Sequence, residues 1–234
     1  MVEIFEKYHT AISKSPLFND IDSGELPLIL KCLNPKLKNY NKNDYIFLSG
    51  DTFLSIGIIL EGLAEVLNEK ASGDRVVISA LMPGDVFGEV IAFSGLTKWQ
   101  NSVHALKKCK VLLIPRERII GECSKVCPWH RSLIQNFLKL ISQKALTLNK
   151  KVKYLAIKGI RDKVGTFLYE QYKNTGRREI VLDLNRNELA DFLSVSRPSM
   201  SRELCKMRNE GIIDFHLKSF KIIDHEALKA MNAF

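Results

Sequence analysis

The stretch LSVSRPSMSRELCKM, residues 193–207, combines hydroxyl and cationic side chains in a spacing that suits anion binding. Ser196 can cap a helix whose first turn tolerates Pro198, because the N–H that proline lacks has no partner there. Apolar residues at helical spacing predict a buried face on that helix. The opposite face carries hydrogen-bond donors for guanine edges and phosphate oxygens: Arg197, Ser199, Ser201, Arg202 and Lys206.

The elements around this helix predict a DNA-binding motif. Asn185 and Glu188 have the spacing of a capping box, which predicts a short preceding helix. Gly211 ends the second helix, and the apolar run IIDFHLKSFKII then predicts a hairpin with Lys218 at its tip. Two short helices, a tight turn and a hairpin favour a winged helix-turn-helix whose hairpin tip can contact phosphate. The alternative is a solvent-facing helix with ordinary polar residues.

A long helix is predicted upstream by apolar residues that alternate at spacings of four and three. Polar and cationic residues surround this seam, so we expect it to pair with the same helix of a second copy. The alternative is a long helix packed on its own domain. The seam comprises Ile134, Leu138, Ile141, Ala145, Leu148, Val152 and Leu155.

Residues 36–115 show a different pattern, in which short runs rich in Val, Ile and Leu alternate with Gly-containing turns. Turn signals about every 8–12 residues predict an antiparallel barrel or sandwich. The sequence therefore predicts an α+β fold with three parts. They are a β-domain at 1–127, to which the family resemblance given below assigns effector sensing, a dimerisation helix at 128–158 and a DNA-binding domain at 159–234.

Composition and charge exclude several classes of protein. The 234 residues are 46% hydrophobic and 26% charged, as in ordinary globular proteins. No apolar run is long enough to span a membrane, and the start MVEIFEKYHT has no apolar signal segment, so we expect a cytoplasmic protein with no membrane partner. The net charge is +9, and residues 131–160 carry seven basic and no acidic residues. This excess fits either a polyanionic partner or a solvated helix face.

The five cysteines form neither a C-x-x-C pair nor a zinc-finger spacing, so reduced thiols are expected. Cys123, Cys127 and His130 could be drawn as a metal site, but four-residue spacing on a helix is equally a packing accident. We therefore predict neither a metal nor a cofactor.

The segment NRNELADFLSVSRPSMSREL resembles the pattern TRxEIAxxLGLSRETVSRxL of the CRP/FNR family of transcription regulators. PGDVFGE, residues 83–89, and IRDKVGTFL, residues 160–168, also resemble motifs of that family. The resemblance covers nearly the whole chain. It implies a β-roll sensor of the cupin-like, cyclic-nucleotide-binding-like type, a long dimerisation helix and a winged helix-turn-helix.

The resemblance also implies roles for particular residues. Arg197, Ser201 and Arg202 match positions that contact the operator, and Asn185 and Arg186 match the backbone-contacting start of the first helix. Where the family often has a glutamate after the first arginine, this chain has Pro198, so its half-site preference is expected to differ. RNA polymerase is an implied partner.

The sensor motif departs further from the family. Cyclic-AMP receptors pair Gly-Glu with a downstream Arg-Ser or Arg-Thr, but this chain has Trp99 and Gln100 there. A cyclic phosphate would lose its bidentate cation, so we expect a weak or absent cyclic-AMP response, although Lys98 offers a point charge. The implied effector site comprises Phe87, Gly88, Glu89, Trp99, Gln100 and Asn101.

The sequence argues against several other sensing chemistries and functions. No cysteine cluster precedes Cys32, which argues against an iron–sulfur sensor, and lone histidines are weak candidates for haem ligands. A redox role for the thiols of Cys109, Cys123 or Cys127 stays open. The rival functions are a cupin-like enzyme, which needs a His/Glu metal cluster that the scattered histidines do not offer, and an effector-binding module without DNA binding. We expect a regulator and not an enzyme.

Overall fold

The computed structural model describes residues 2–69, 74–96, 98–121 and 128–232, which form two compact units, 1–143 and 144–234. The helices are α1 Val2–Lys14, α2 Leu26–Leu33, α3 Glu89–Phe93, α4 Arg116–Ile120, α5 Pro128–Ala156, α6 Ile160–Thr175, α7 Arg186–Phe192, α8 Arg197–Asn209 and α9 His225–Met231. The strands are β1 Lys36–Tyr40, β2 Tyr45–Phe47, β3 Ser55–Glu61, β4 Ala64–Glu69, β5 Arg75–Leu81, β6 Val86–Phe87, β7 Ser102–Ala105, β8 Cys109–Pro115, β9 Glu179–Val181, β10 Ile213–His216 and β11 Ser219–Ile222.

The first unit contains two four-stranded antiparallel sheets, in the orders β1-β8-β3-β6 and β2-β7-β4-β5. Successive residues of a strand point to opposite faces of the sheet. Because consecutive residues of β3 and β8 are buried, both faces of these two strands are covered. Ile58 and Leu112 face a core shared with the helices, whereas Ile59 and Val111 face a core that draws residues from both sheets. We call these the helix-side core and the inter-sheet core.

The first half of α5 belongs to the helix-side core. Trp129, Leu133, Phe137 and Leu140 are buried there, and the side-chain amide of Asn136 donates to the Leu17 and Asn19 carbonyls at 3.3 and 2.5 Å. Our interpretation of this helix as a single narrow apolar stripe was therefore incomplete. The N-terminal half of α5 carries a second apolar face, because it packs on the helix-side core of the first unit.

The second unit contains the end of α5, the helices α6 to α9 and the antiparallel sheet β10-β11-β9. Tyr154, on the last turns of α5, is only 1% exposed and packs near the rings of Phe167 and Phe192. Its hydroxyl donates to Glu170 at 2.5 Å. Burial is the main reason that the pKa of Tyr154 is raised, and the bond to Glu170 adds to it.

The predicted α+β class and its order of parts are confirmed: an antiparallel β-domain, a long helix and a winged helix-turn-helix. In the second unit, β9 covers only the start of the apolar run IVLDL and begins one residue before it, at Glu179. The run VVISAL lies within β5, yet every residue of β5 except Leu81 is exposed. The three domain boundaries stay predictions. Among the described residues, no helix combines the length and the apolar character needed to cross a membrane.

Candidate nucleic-acid interface

Helix α8 begins at Arg197, and the hydroxyl of its N-cap, Ser196, accepts from the backbone N–H of Ser199 at 3.3 Å. Pro198 lies in the first turn, where its missing N–H leaves no hydrogen bond unmade. Met200, Leu204 and Met207 are fully buried in the core of the second unit. This apolar stripe therefore fixes which face of α8 is turned outward.

The outward face carries the donors that the sequence predicted. Arg197, Arg202 and Lys206 are exposed, while Ser199 and Ser201 are half-buried beside them. The Ser196 hydroxyl donates to the Ser199 hydroxyl at 2.8 Å, and a guanidinium nitrogen of Arg202 donates to the same Ser199 oxygen at 3.3 Å. These contacts restrain the head of the helix. The rest of the Arg202 fork faces solvent.

The turn that joins α7 to α8 is held by a buried lysine that our sequence analysis missed. Ser194 has a φ of +53°, a left-handed conformation that favours glycine. The ammonium of Lys163 on α6 donates to the Leu193 carbonyl at 3.0 Å, and Lys163 is itself buried. Lys163 lies three residues after Ile160, on the apolar face of its helix. A cation in that position is the sequence signal that could have revealed it.

Arg161, a second residue that the sequence analysis did not identify, connects α6 to α8. Arg161 donates to Glu203 at 3.1 Å and forms an ion pair with Glu210 near the end of α8. The hydrogen bond that Arg161 donates to Glu210 is the main reason that the pKa of Arg161 is raised. These partners are 42 and 49 residues away in the chain, so no local pattern identifies them.

Helix α7 begins with the predicted capping box. The side-chain oxygen of Asn185 accepts from the backbone N–H groups of Asn187 and Glu188 at 2.9 and 3.1 Å, and the Glu188 carboxylate accepts from the Asn185 N–H at 2.6 Å. Asn185 is exposed, but its side-chain oxygen already accepts these two hydrogen bonds. Arg186 is half-buried and lies against the β10–β11 hairpin.

Lys218 lies at the hairpin tip, as predicted, next to Leu217. The Lys218 ammonium donates to the Asp183 carbonyl at 2.5 Å, and Leu217 is exposed with a φ of +51°. Lys218 is thus held close to the segment that leads into α7. The DNA-contacting roles of all these side chains stay predictions.

In the predicted effector site, several side chains are buried, in contrast to the exposed arginines of α8. Phe87 and Trp99 are buried in the inter-sheet core together with Phe53, whose ring lies 5.2 Å from that of Trp99. Gly88 has a φ of +84°, and a Cβ there would lie 2.1 Å from the Phe53 ring. Glu89 begins α3 and is buried. Aromatic side chains therefore occupy the space beside the Gly-Glu pair.

Gln100 and Asn101 lie nearer the surface than these aromatic residues. The Gln100 carbonyl accepts from the Ser49 hydroxyl at 3.1 Å, and the Asn101 side chain accepts from Asn68 at 3.2 Å. A depression of about 500 Å³ lies beside Trp99, Gln100 and Lys98. The structure thus splits the predicted effector residues into an inner aromatic group and an outer polar group.

The predicted seam on α5 is largely exposed. Leu138, Leu148, Val152 and Leu155 show between 56% and 62% of their surface. Such values are unusual for apolar residues spaced as a stripe. The remaining members are half-buried or exposed, namely Ile134, Ile141 and Ala145.

Within the described ranges, no three His, Cys, Asp or Glu side chains lie close enough together to hold a metal ion. His104 instead contacts Glu65 at 3.2 Å, and His130 contacts the Ile119 carbonyl at 2.6 Å. Cys123 and Cys127, the other members of the metal site that we considered, lie outside the described residues.

The fold and this interface define a class of protein, a winged-helix regulator with a cyclic-nucleotide-binding-like domain. Two family models match the chain: the cyclic nucleotide-binding domain at residues 37–125 and the Crp-like helix-turn-helix domain at residues 162–231. The chain therefore belongs to the CRP/FNR family of DNA-binding transcription regulators. That is a family of transcription regulators and not of enzymes.

Similar proteins span most of the chain. Electron transport regulator A of Shewanella oneidensis is 25% identical over 201 residues, covering 83% of this chain and 77% of that protein. The anaerobic regulatory protein of Bacillus subtilis is 24% identical over 220 residues, covering 92% and 90%. The crystal structure of Thermus thermophilus catabolite activator protein matches with a TM-score of 0.53 and 20% identity, covering 93% of this chain and 98% of that one, which supports the fold.

Proposed function

We propose that this protein is a cytoplasmic, homodimeric transcription regulator that contacts a pseudo-palindromic operator through the polar head of α8. One observation carries the proposal: α8 buries its methionine and leucine stripe and turns its guanidinium and hydroxyl groups outward. A helix of this diameter fits the major groove. An arginine fork on guanine O6 and N7 contributes about 1–3 kcal/mol of discrimination.

Phosphate contacts supply the rest of the interface in this proposal. The half-buried serines and the positive end of the α8 dipole suit backbone oxygens, as do Asn185 and Lys218 at the edges of the motif. Pro198 cannot hydrogen-bond to a base. The operator half-site should therefore differ from one recognised by family members that carry glutamate at that position.

Dimerisation through α5 would place two recognition helices on one duplex. The exposed stripe from Leu138 to Leu155 has heptad spacing, and pairing it with a second copy would remove its apolar surface from water. Two-fold symmetry then requires half-sites about one helical turn, roughly 10 base pairs, apart.

The proposed effector is not cyclic AMP. Trp99 stands where the family's phosphate-binding arginine is expected, and its ring is 7% exposed within the inter-sheet core. A cyclic nucleotide would have to displace packed aromatic rings while lacking its bidentate cation. An effector of other chemistry, bound near Phe87–Asn101, would act by favouring one of two arrangements of the DNA-binding unit, and this requires different affinities for the two states. We propose activation of RNA polymerase as the output.

Selection of duplexes from a random library by the purified full-length chain tests the proposal. We expect enrichment of a two-fold symmetric sequence whose half-sites are centred about 10 base pairs apart. Leu148→Lys places a charge in the α5 stripe, so it should yield monomers in sedimentation and lose the symmetric site. Lys31→Ala, an exposed change on α2, is the control and should behave as wild type.

The rival functions give different results in the same experiments. An effector-binding module without DNA binding would enrich no duplex. A cupin-like enzyme would retain stoichiometric iron, manganese or zinc by elemental analysis, with no effect of Leu148→Lys on duplex enrichment. A monomeric wild-type chain would contradict the dimer.

A further inference from the structure

Arg186 begins α7, yet its side chain points to the wing and not along the outward face of α8. Its guanidinium carbon lies 4.4 Å from the ring centre of Phe220 and 4.8 Å from that of Phe215. The two phenylalanines face each other across β10 and β11. One guanidinium thus covers a cross-strand aromatic pair.

The surroundings of Arg186 fit a packing role. Phe220 is 1% exposed and belongs to the core of the second unit, and Phe215 packs against that core. Burial lowers the pKa of Arg186. Among the described residues, one terminal nitrogen of Arg186 has no hydrogen-bond partner. A half-buried cation in this position gains its stabilisation from the faces of the rings, which carry partial negative charge.

A second arginine holds the same ring from the recognition helix. The guanidinium carbon of Arg208, on the last turn of α8, lies 5.0 Å from the centre of Phe215. The Phe215 ring is therefore in contact with cations from both helices of the motif. This arrangement ties the orientation of the wing to α7 and α8 together.

We propose that Arg186 is a positioning residue that fixes the wing against α7, and that it strengthens DNA binding through the wing without touching a phosphate. The inference rests on the proposed DNA-binding function. It differs from the family-based expectation for Arg186, which is a direct contact to the DNA backbone. It also predicts that uncharged Phe215 contributes to affinity as Arg186 does.

The salt dependence of binding separates the two roles. Each phosphate contact contributes about 0.9 to the slope of log affinity against log salt, so a dimer that loses one contact per subunit loses about 1.8. We expect Arg186→Met to weaken binding to the selected duplex about threefold to tenfold, and to change the slope no more than Phe215→Leu does, because Phe215 carries no charge and can affect a phosphate contact only through the wing. Lys206→Met, an exposed change on α8, is the matched comparison and should lower the slope.

A double-mutant cycle tests the connection to the wing. If Arg186 acts through Phe215, then Phe215→Leu should weaken binding as much as Arg186→Met does, and the double variant should be no weaker than either single one. Arg186→Lys, which keeps the charge but not the planar group, should also bind less tightly than wild type. This variant keeps the proposal testable if Arg186→Met does not fold.

The proposal is overturned if Arg186→Met lowers the slope by about 1.8 more than Phe215→Leu does, if its effect adds to that of Phe215→Leu, or if Arg186→Lys binds like wild type. The first result would mean a direct phosphate contact, and the other two would mean that Arg186 does not act through the Phe215 ring. A failure of the proposed function looks different, because the wild-type chain itself would then enrich no duplex.

Discussion

Binding roles were predicted both for the head of α8 and for residues within 87–101, but the side chains of the two regions are placed in opposite ways. On α8 the arginines are exposed, and the hydroxyls beside them are linked to one another and to Arg202. In residues 88–101, Trp99 was predicted to line the effector site from the family resemblance, yet it is buried against Phe53. A matched position keeps a binding role only where its side chain stays available to the ligand.

The two regions also differ in what fixes them. The α8 head is set by interactions within a few residues, such as the Ser196 cap and the Pro198 turn. The sensor segment is set by packing between two sheets whose strands are distant in sequence. Local chemistry therefore indicates function in the first region, whereas tertiary packing decides it in the second.

Of the substitutions that test this comparison, Trp99→Ala should change the free energy of unfolding most. Removing a buried indole should lower the free energy of unfolding of the sensor unit by about 3–5 kcal/mol, because a cavity remains in the inter-sheet core. Urea denaturation followed by circular dichroism measures this loss. Leu96→Ala, at a side chain that is half exposed, is the control and should change stability by less than about 0.5 kcal/mol. A similarly small loss for Trp99→Ala would place the indole outside the core.

Tyr154→Phe gives a smaller effect, which depends on pH. The pKa of Tyr154 is raised in the folded state, chiefly by burial, so above pH 10 the unfolded chain loses a proton that the folded chain keeps. The stability that Tyr154 contributes is therefore complete below pH 10 and falls by about 1.4 kcal/mol per pH unit above it.

The measurement for Tyr154 is the difference in unfolding free energy between wild type and Tyr154→Phe from pH 8 to pH 11. We expect this difference to shrink as the pH rises. Ile223→Ala, at an exposed residue with no titratable group, is the control, and its difference from wild type should not vary with pH. A constant difference for Tyr154→Phe would show that the hydroxyl is open to water.

Ser194→Gly gives the smallest effect. Glycine adopts the φ of +53° at the turn without the steric cost that a Cβ brings, so we expect a gain of about 0.5–1 kcal/mol in the free energy of unfolding. Thermal unfolding of the second unit should report it. Ser199→Gly, within α8, should instead destabilise, and a loss at Ser194 would mean that its hydroxyl matters more than its backbone.

Much of the DNA-binding unit could be predicted from the sequence, because its signals are local. The capping box at Asn185, the cap at Ser196 and the apolar stripe on α8 each depend on residues within one or two turns. Some strands of the first unit, such as β3 and β8, were also recognisable from their apolar runs and the turns beside them. Their pairing order was not, because β1 pairs with β8 and β2 with β7.

What could not be predicted depends on partners far along the chain. Lys163 finds the Leu193 carbonyl 30 residues away, and Arg161 finds its carboxylates at still greater separation. Arg186 matched a phosphate-contacting position, and only the folded wing reveals the two rings beneath it. The second apolar face of α5 was not predicted, because the analysis of this helix followed the heptad seam alone.

The central claim is that the exposed face of α8 contacts bases, and the binding of Arg202→Ala to the selected duplex and its single-base-pair variants tests it most directly. We expect a loss of about 1–3 kcal/mol on the best site and relaxed discrimination at one base pair per half-site, with Lys31→Ala unchanged. An Arg202→Ala protein with wild-type affinity and unchanged discrimination at every base pair would contradict the account.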